Sequence, residues 1–143
     1  MPTTGGRNED RPLQLAVTLP ATDLERAKAW YASVLQLDPS GPTGNDALWY
    51  DVGGTRLMLY ISRFAGTNQA TAAAFGVDDV EATVAQLRAR GAVLEDYDFG
   101  DDLRTVDGIA TMPDGMKTAW LKDSEGNILN IGPADIAGGG AST

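Results

Sequence analysis

The chain predicts an α+β fold: two βαβββ modules whose strands build a curved mixed sheet around a cup-shaped cavity, with the helices outside. Three observations predict it. Residues 16–25 (Ala-Val-Thr-Leu-Pro-Ala-Thr-Asp-Leu-Glu) find counterparts at a constant offset in residues 72–81 (Ala-Ala-Ala-Phe-Gly-Val-Asp-Asp-Val-Glu), so one unit occurs twice. Each copy passes from a strand into a capped helix, then into strands joined by a Gly-containing turn. Late in the chain, the apolar runs 118–121 and 128–131 flank Asp123, Ser124, Glu125, Gly126 and Asn127, the pattern of a β-hairpin. A unit of this size cannot bury its sheet alone, so two units must combine their sheets.

In order along the chain, residues 1–11 are polar and aperiodic and read as a loose N-terminal arm. Residues 13–20 alternate, with Leu13, Leu15, Val17 and Leu19 on one face and Gln14, Ala16 and Thr18 on the other. Thr22 and Glu25 form a capping-box pattern for a helix running to about residue 35, with Leu24, Ala27, Tyr31, Val34 and Leu35 as its apolar stripe. Residues 38–46 carry Pro, Ser, Gly and Asn and read as a loop. Strands over 48–52 and 56–61 around Gly53 and Gly54 make a hairpin. Residues 62–69 connect to a strand over 71–77 with small side chains on both faces. Asp78 to Glu81 repeats the capping pattern, Val80, Val84 and Leu87 form the buried stripe of the second helix, and Gly91 ends it. A short strand starts at Val93, residues 95–108 are acidic and irregular, 108–112 is a strand, and the late hairpin follows. The domain thus spans 12–132, with module one at about 12–66 and module two at about 67–132. The Gly/Ala-rich tail, 133–143, reads as flexible.

Composition narrows the chemistry. With 143 residues, 43% hydrophobic and 22% charged, the chain has material for one real core. It has no membrane-length apolar run and no opening stretch with the form of a signal peptide, so the default expectation is a cytoplasmic protein without a membrane partner. Zero Cys removes thiolate nucleophiles and zinc–thiolate sites; zero His removes the commonest general base and transition-metal ligand. A net charge of −9 with no Lys/Arg cluster excludes nucleic acid as a partner.

The residues Val17 to Ala27 (Val-Thr-Leu-Pro-Ala-Thr-Asp-Leu-Glu-Arg-Ala) resemble the first strand and helix of the vicinal oxygen chelate superfamily, the glyoxalase, bleomycin-resistance and extradiol-dioxygenase group. Phe75 to Glu81 resembles the start of its second module, and Ala119 to Leu129 its closing hairpin. The resemblance covers roughly 13–132. It implies paired βαβββ modules, a cup-shaped site and a homodimer. Metal-dependent members carry His, Gln or Glu ligands on inward strand positions, which fall here on Ala16, Ala72, Asn130 and either Met58 or Tyr60. None of these is an anionic or imidazole donor, so no metal and no cofactor is expected.

If Ala16 and Ala72 point inward, parity places Thr18, Ala74 and Gly76 with them as a small-residue floor. Met58, Tyr60, Trp120 and Asn130 then stand on the walls, joined by Trp49 and Asp51. This set describes a small-molecule pocket; plain core packing of Trp49, Tyr60 and Trp120 is the open alternative. The expected ligand-binding residues are therefore Ala16, Thr18, Trp49, Met58, Tyr60, Ala72, Ala74, Trp120 and Asn130. Asp51 and Tyr60 are the candidate proton-transfer groups. Tyr97 and Asp98 lie in the 95–107 loop, a candidate lid with a solvated charged loop as the open alternative, and Arg56, Arg104 and Lys117 are either contacts for an anionic group or plain surface cations. The leading expectation is a metal-independent binder of an apolar or aromatic small molecule, in the manner of bleomycin-resistance proteins, with the acidic surface suiting a cationic ligand. The alternatives are a cofactor-free isomerase, cyclase or lyase, and a catalytically silent interaction domain.

Overall fold

The computed structural model describes residues 12–40, 46–101 and 103–134; the expectations for the N-terminal arm, most of the tail and part of the 38–46 loop lie outside these residues. The element order is β1 (Ala16–Ala21), α1 (Leu24–Ser33), β2 (Ala47–Val52), β3 (Thr55–Ile61), β4 (Thr71–Val77), α2 (Val80–Ala89), β5 (Thr105–Val106), β6 (Ile109–Thr111), β7 (Lys117–Lys122) and β8 (Ile128–Pro133). This is the α+β arrangement of two similar units that the internal repeat predicts.

The strands hydrogen-bond as two sheets, not one. The first has the order β1-β3-β2 and the second β4-β8-β7-β6-β5. Both are mixed: β1 runs parallel to β3 and β4 parallel to β8, while the remaining pairs are antiparallel. The two first strands of the repeat, β1 and β4, are therefore both sheet edges. Among the described residues module one has two strands after its helix; beyond them, the Ser40 N–H donates to the Trp49 carbonyl at 2.7 Å.

Alternation decides which face is buried. Leu19, Ala21, Leu48, Tyr50, Leu57 and Leu59 in the first sheet join one core with Ala119, Leu121, Leu129 and Ile131 in the second. Ala27 and Tyr31 of α1 and Val80, Val84 and Leu87 of α2 close that core from the helix side. Each fully buried Leu contributes about 1.5–3 kcal/mol, so these faces are held firmly and the opposite faces are free for other uses. Gly53 and Gly54 have φ of +56° and +86°, the pair of positive values that a two-residue hairpin turn demands.

Two expectations need correction. Leu13 and Leu15 are not core: they are 87% and 82% exposed, and β1 begins only at Ala16. Ala16 pairs with Arg56, and the turn at Gly53 and Gly54 leaves no partner backbone for the residues before it. The capping box at Thr22 and Glu25 also does not form. Asp23 is the N-cap, its side chain accepting from the Arg26 N–H at 3.0 Å.

The halves are joined by the turn of the β7–β8 hairpin. Glu125, whose side chain has no exposed surface, accepts from the Thr22 and Asp23 N–H groups at 3.0 and 3.1 Å and from Arg26 Nε at 2.8 Å. Tyr31 donates its hydroxyl to Asp123 at 2.6 Å, and Asn127 Nδ2 donates to the Pro20 carbonyl at 2.9 Å. Burial, then the Asp123 carboxylate, pushes the Tyr31 phenol well up.

Candidate functional site

Cross-strand register assembles the face opposite the helices in rows. In the first sheet Thr18, Met58 and Trp49 stand side by side; in the second, Ala74, Asn130 and Trp120 do. Thr18 and Ala74 are exposed, and Trp49, Met58, Tyr60, Trp120 and Asn130 are half-buried. Ala16, paired with Arg56, continues the first sheet's face at its lower end.

One expected member is displaced. The pairing of β4 with β8 slips between Thr71 and Ala73, leaving Ala72 at a bulge. Ala72 is half-buried and packs against the core cluster. Thr71 takes the place beside the tryptophan, its Oγ1 accepting from Trp120 Nε1 at 3.1 Å. A strict period of two cannot anticipate a bulge, because the extra residue reverses the facing of everything before it.

Cavities border these rows. One of about 410 Å³ lies between the β2–β3 turn and β4, lined by Val17, residues 52–53, 55–57 and 73–76, and Ala134. Another of about 510 Å³ is lined by Gln14, Leu15, Ala16, Trp49, Gly54, Thr55 and Arg56. Ala74 and Asn130 share a small cavity of about 100 Å³. Arg56 belongs to both of the larger cavities, with its guanidinium 4.2 Å from the Trp49 ring centroid. Thr18, Met58, Tyr60 and Ala72 line none of these.

The candidate acid–base groups do not converge. Asp51 shares the sheet face of Trp49 and Ala16, in the row of Arg56, with its side chain 69% exposed and 3.7 Å from Arg56. It is thus an exposed carboxylate beside a cation. Arg104 and Lys117 do come together, but around a shared cavity with Glu81, Asp101 and Asp107. Two cations facing three carboxylates do not make an anion site.

The donor set does not fit the divalent metal that the fold family uses. The corresponding positions carry methyl groups, a thioether or phenol, and an amide. Asn130 Nδ2 donates to Thr118 Oγ1 at 2.5 Å and to the Ala119 carbonyl at 3.1 Å, which leaves only a neutral amide oxygen for anything bound. Among the described residues no group of three His, Cys, Asp or Glu can hold a metal ion.

Residues 95–101 and 103–107 form an arm held by its own hydrogen bonds. The Phe99 N–H donates to the Leu103 carbonyl and the Thr105 N–H to the Tyr97 carbonyl, both at 2.8 Å, and the backbones of Asp98 and Arg104 pair antiparallel. Thr105 donates its hydroxyl to Asp96 at 2.8 Å; this bond, with one from the Gly108 N–H, holds the Asp96 carboxyl below the usual range. The arm lays Tyr97 edge-on against Trp120, with centroids 5.6 Å apart. Burial, then the Glu95 carboxylate, pushes the Tyr97 phenol up. Sequence reasoning singled out Tyr97 as part of a candidate lid or a solvated loop but did not name Thr71, Phe99, Leu103 and Ile128, which line a cavity of about 210 Å³ with it. Their only sequence signal was the pair of aromatic residues at positions 97 and 99.

Comparison with known proteins agrees with this architecture. The family model of the Glyoxalase/Bleomycin resistance protein/Dioxygenase superfamily matches residues 14–131. No curated protein matches the chain. Among solved structures, the lactoylglutathione lyase of Agrobacterium tumefaciens is 18% identical, with a TM-score of 0.66 over 90% of this chain and 98% of that one. The bleomycin resistance determinant encoded on transposon Tn5 is 16% identical, with a TM-score of 0.63 over 86% and 98%. A glyoxalase/bleomycin resistance protein from Catenulispora acidiphila DSM 44928 is 21% identical, with a TM-score of 0.62 over 85% and 97%. At such identities the likeness is one of fold. With the repeat, the paired modules and a family match over most of its length, the chain belongs to the Glyoxalase/Bleomycin resistance protein/Dioxygenase superfamily.

Proposed function

We propose that this chain is a metal-independent small-molecule-binding member of its superfamily, using the face opposite the helices to hold an apolar or aromatic compound. The observation that carries the reading is the row Ala74, Asn130 and Trp120. It offers open space, one neutral polar atom and an aromatic wall, and no charge to hold a metal or drive proton transfer. A similar row at Thr18, Met58 and Trp49 supports it. Sequestration of a drug or metabolite is its most concrete form, and one structural neighbour is a bleomycin resistance determinant. The solvent exposure of Asp51 beside Arg56 favours binding over cofactor-free catalysis. A single domain over 12–132, a cytoplasmic homodimer and the absence of a nucleic-acid partner complete the proposal. No helix of the described residues is long and apolar enough to cross a membrane.

The test combines metal analysis with ligand binding. Protein purified without chelator is expected to hold no stoichiometric transition metal, and to bind a neutral hydrophobic probe equally with and without EDTA. Ala74→Phe, at an exposed site, is expected to abolish that binding with little change in melting temperature. Overpacking a closed core would instead cost about 1–3 kcal/mol. Stoichiometric Zn, Fe, Mn or Ni, or a chelator-sensitive affinity, overturns the reading.

A further inference from the structure

The 95–107 arm and the second sheet meet at a corner of three aromatic rings. Tyr97 and Phe99 stack with centroids 5.7 Å apart and planes 26° from parallel. Trp120 stands across Tyr97 at 75°. The Trp120 N–H is already committed to Thr71, so the indole is held in place without drawing on a ligand. Leu103 and Ile128 complete the apolar lining of the adjoining cavity of about 210 Å³. That volume is below the roughly 300–1,000 Å³ of a complete ligand site; it suits one ring system of a larger molecule.

Two features select the charge of that ring. Aromatic faces carry negative quadrupole density and attract cations, most strongly where water is displaced. The arm itself, residues 95–107, has six carboxylates and a single cation, Arg104. Asp96 is committed to Thr105 and Gly108 inside the arm, and Asp107 lies 3.4 Å from Arg88. Glu95 and Asp98 flank Tyr97 along the chain. The Phe99 ring, 70% exposed, has Tyr97 as its stacking partner and leaves apolar surface for a ligand to cover.

We propose that the corner of Tyr97, Phe99 and Trp120 is a subsite for a planar organic cation, an aromatic or heteroaromatic ring bearing a fixed positive charge. The proposal rests on the reading of the sheet face as a binding surface and adds the chemical class of the ligand and the role of the arm. The ring slides against the Tyr97–Phe99 stack, Trp120 forms the end wall, and the arm's carboxylates supply the field.

The test uses 1-methylquinolinium and its neutral counterpart of the same shape, 1-methylnaphthalene, titrated calorimetrically into the full chain. The cation is expected to bind about tenfold or more tightly than the neutral compound, with the preference shrinking as salt is raised. Phe99→Leu keeps apolar bulk at an exposed site and removes the ring. It is expected to weaken the cation by about three- to tenfold and to leave the melting temperature unchanged. Asp98→Asn is expected to reduce the cation preference without affecting the neutral compound. Equal affinity for the two compounds, or a cation affinity indifferent to Phe99→Leu, overturns the subsite. If in that case the neutral compound still binds and Ala74→Phe blocks it, the sheet-face reading survives alone; if neither compound binds, both readings fall.

Discussion

Tyr50 shows how a single atom can work against the fold around it. Its ring is fully buried and lies 5.8 Å from that of Tyr31, yet its hydroxyl has no hydrogen-bond partner among the described residues. Burial, then the Asp38 carboxylate, pushes the phenol up to about 12, so the hydroxyl is neutral. A buried polar group without a partner costs about 1–3 kcal/mol. Tyr50→Phe keeps the shape and removes that cost. Thermal and urea unfolding are expected to show unchanged or raised stability, by up to about 2 kcal/mol; a loss of that size would mean that the hydroxyl is satisfied by an ordered water. Tyr31 is the opposite case, since its hydroxyl reaches Asp123 and joins the two modules.

Among the elements, the β7–β8 hairpin does two jobs with its two ends. Its strands carry Trp120 and Asn130 to the open sheet face, and its turn docks on the N-terminus of α1. The turn passes close to the 62–67 connector: a Cβ on Gly126, where φ is +88°, would stand 2.8 Å from the Gly66 Cα, so only glycine fits. Burial works to raise the Glu125 carboxyl, but hydrogen bonds from Arg26, Ser124, Asp23 and Thr22 outweigh it and hold the group at about 2. A carboxyl depressed in the folded state contributes stability that is fully present above its unfolded value and is lost as pH falls through the folded one. That window runs from the ordinary 4.5 down to about 2. Glu125→Gln is expected to lower stability by about 1–3 kcal/mol near neutral pH. The gap to the parent chain should close as unfolding is repeated at lower pH across that window; a gap independent of pH would show that the ionised carboxylate contributes nothing.

At the scale of the whole molecule, among the described residues each of the two mixed sheets has its module's first strand, β1 or β4, at an edge. Just ahead of β1 stand the exposed side chains of Leu13 and Leu15. A second copy, as proposed above, would cover the strand edges and the exposed leucines at once under two-fold symmetry. Light scattering at high micromolar concentration is expected to give twice the 15.0 kDa chain mass. A monomer mass would count against the dimer, and Leu13→Ser with Leu15→Ser is expected to shift the equilibrium toward monomer.

What the amino-acid order determined by itself is local. The period-two alternation of β1 and β3 and the apolar stripe of α2 are steric consequences of the backbone, so the buried faces of both sheets and the α+β repeat were legible before any contact was known. The lack of His and Cys, with Ala16, Ala72 and Asn130 at the family's ligand positions, likewise removed metal-binding chemistry from the expectation. Tertiary structure decided the rest, because the deciding partners are far apart in the chain. The Glu125 carboxylate is bound by Thr22, at a separation of 103 residues, and no local pattern distinguishes it from an exposed turn acid. The bulge that turns Ala72 toward the core depends on the register of β4 against β8. The meeting of Tyr97 with Trp120 depends on where the 95–107 arm folds back, which its acidic, aperiodic sequence does not encode locally. Alternation sets which way a side chain faces, but only the packed chain decides what stands opposite it.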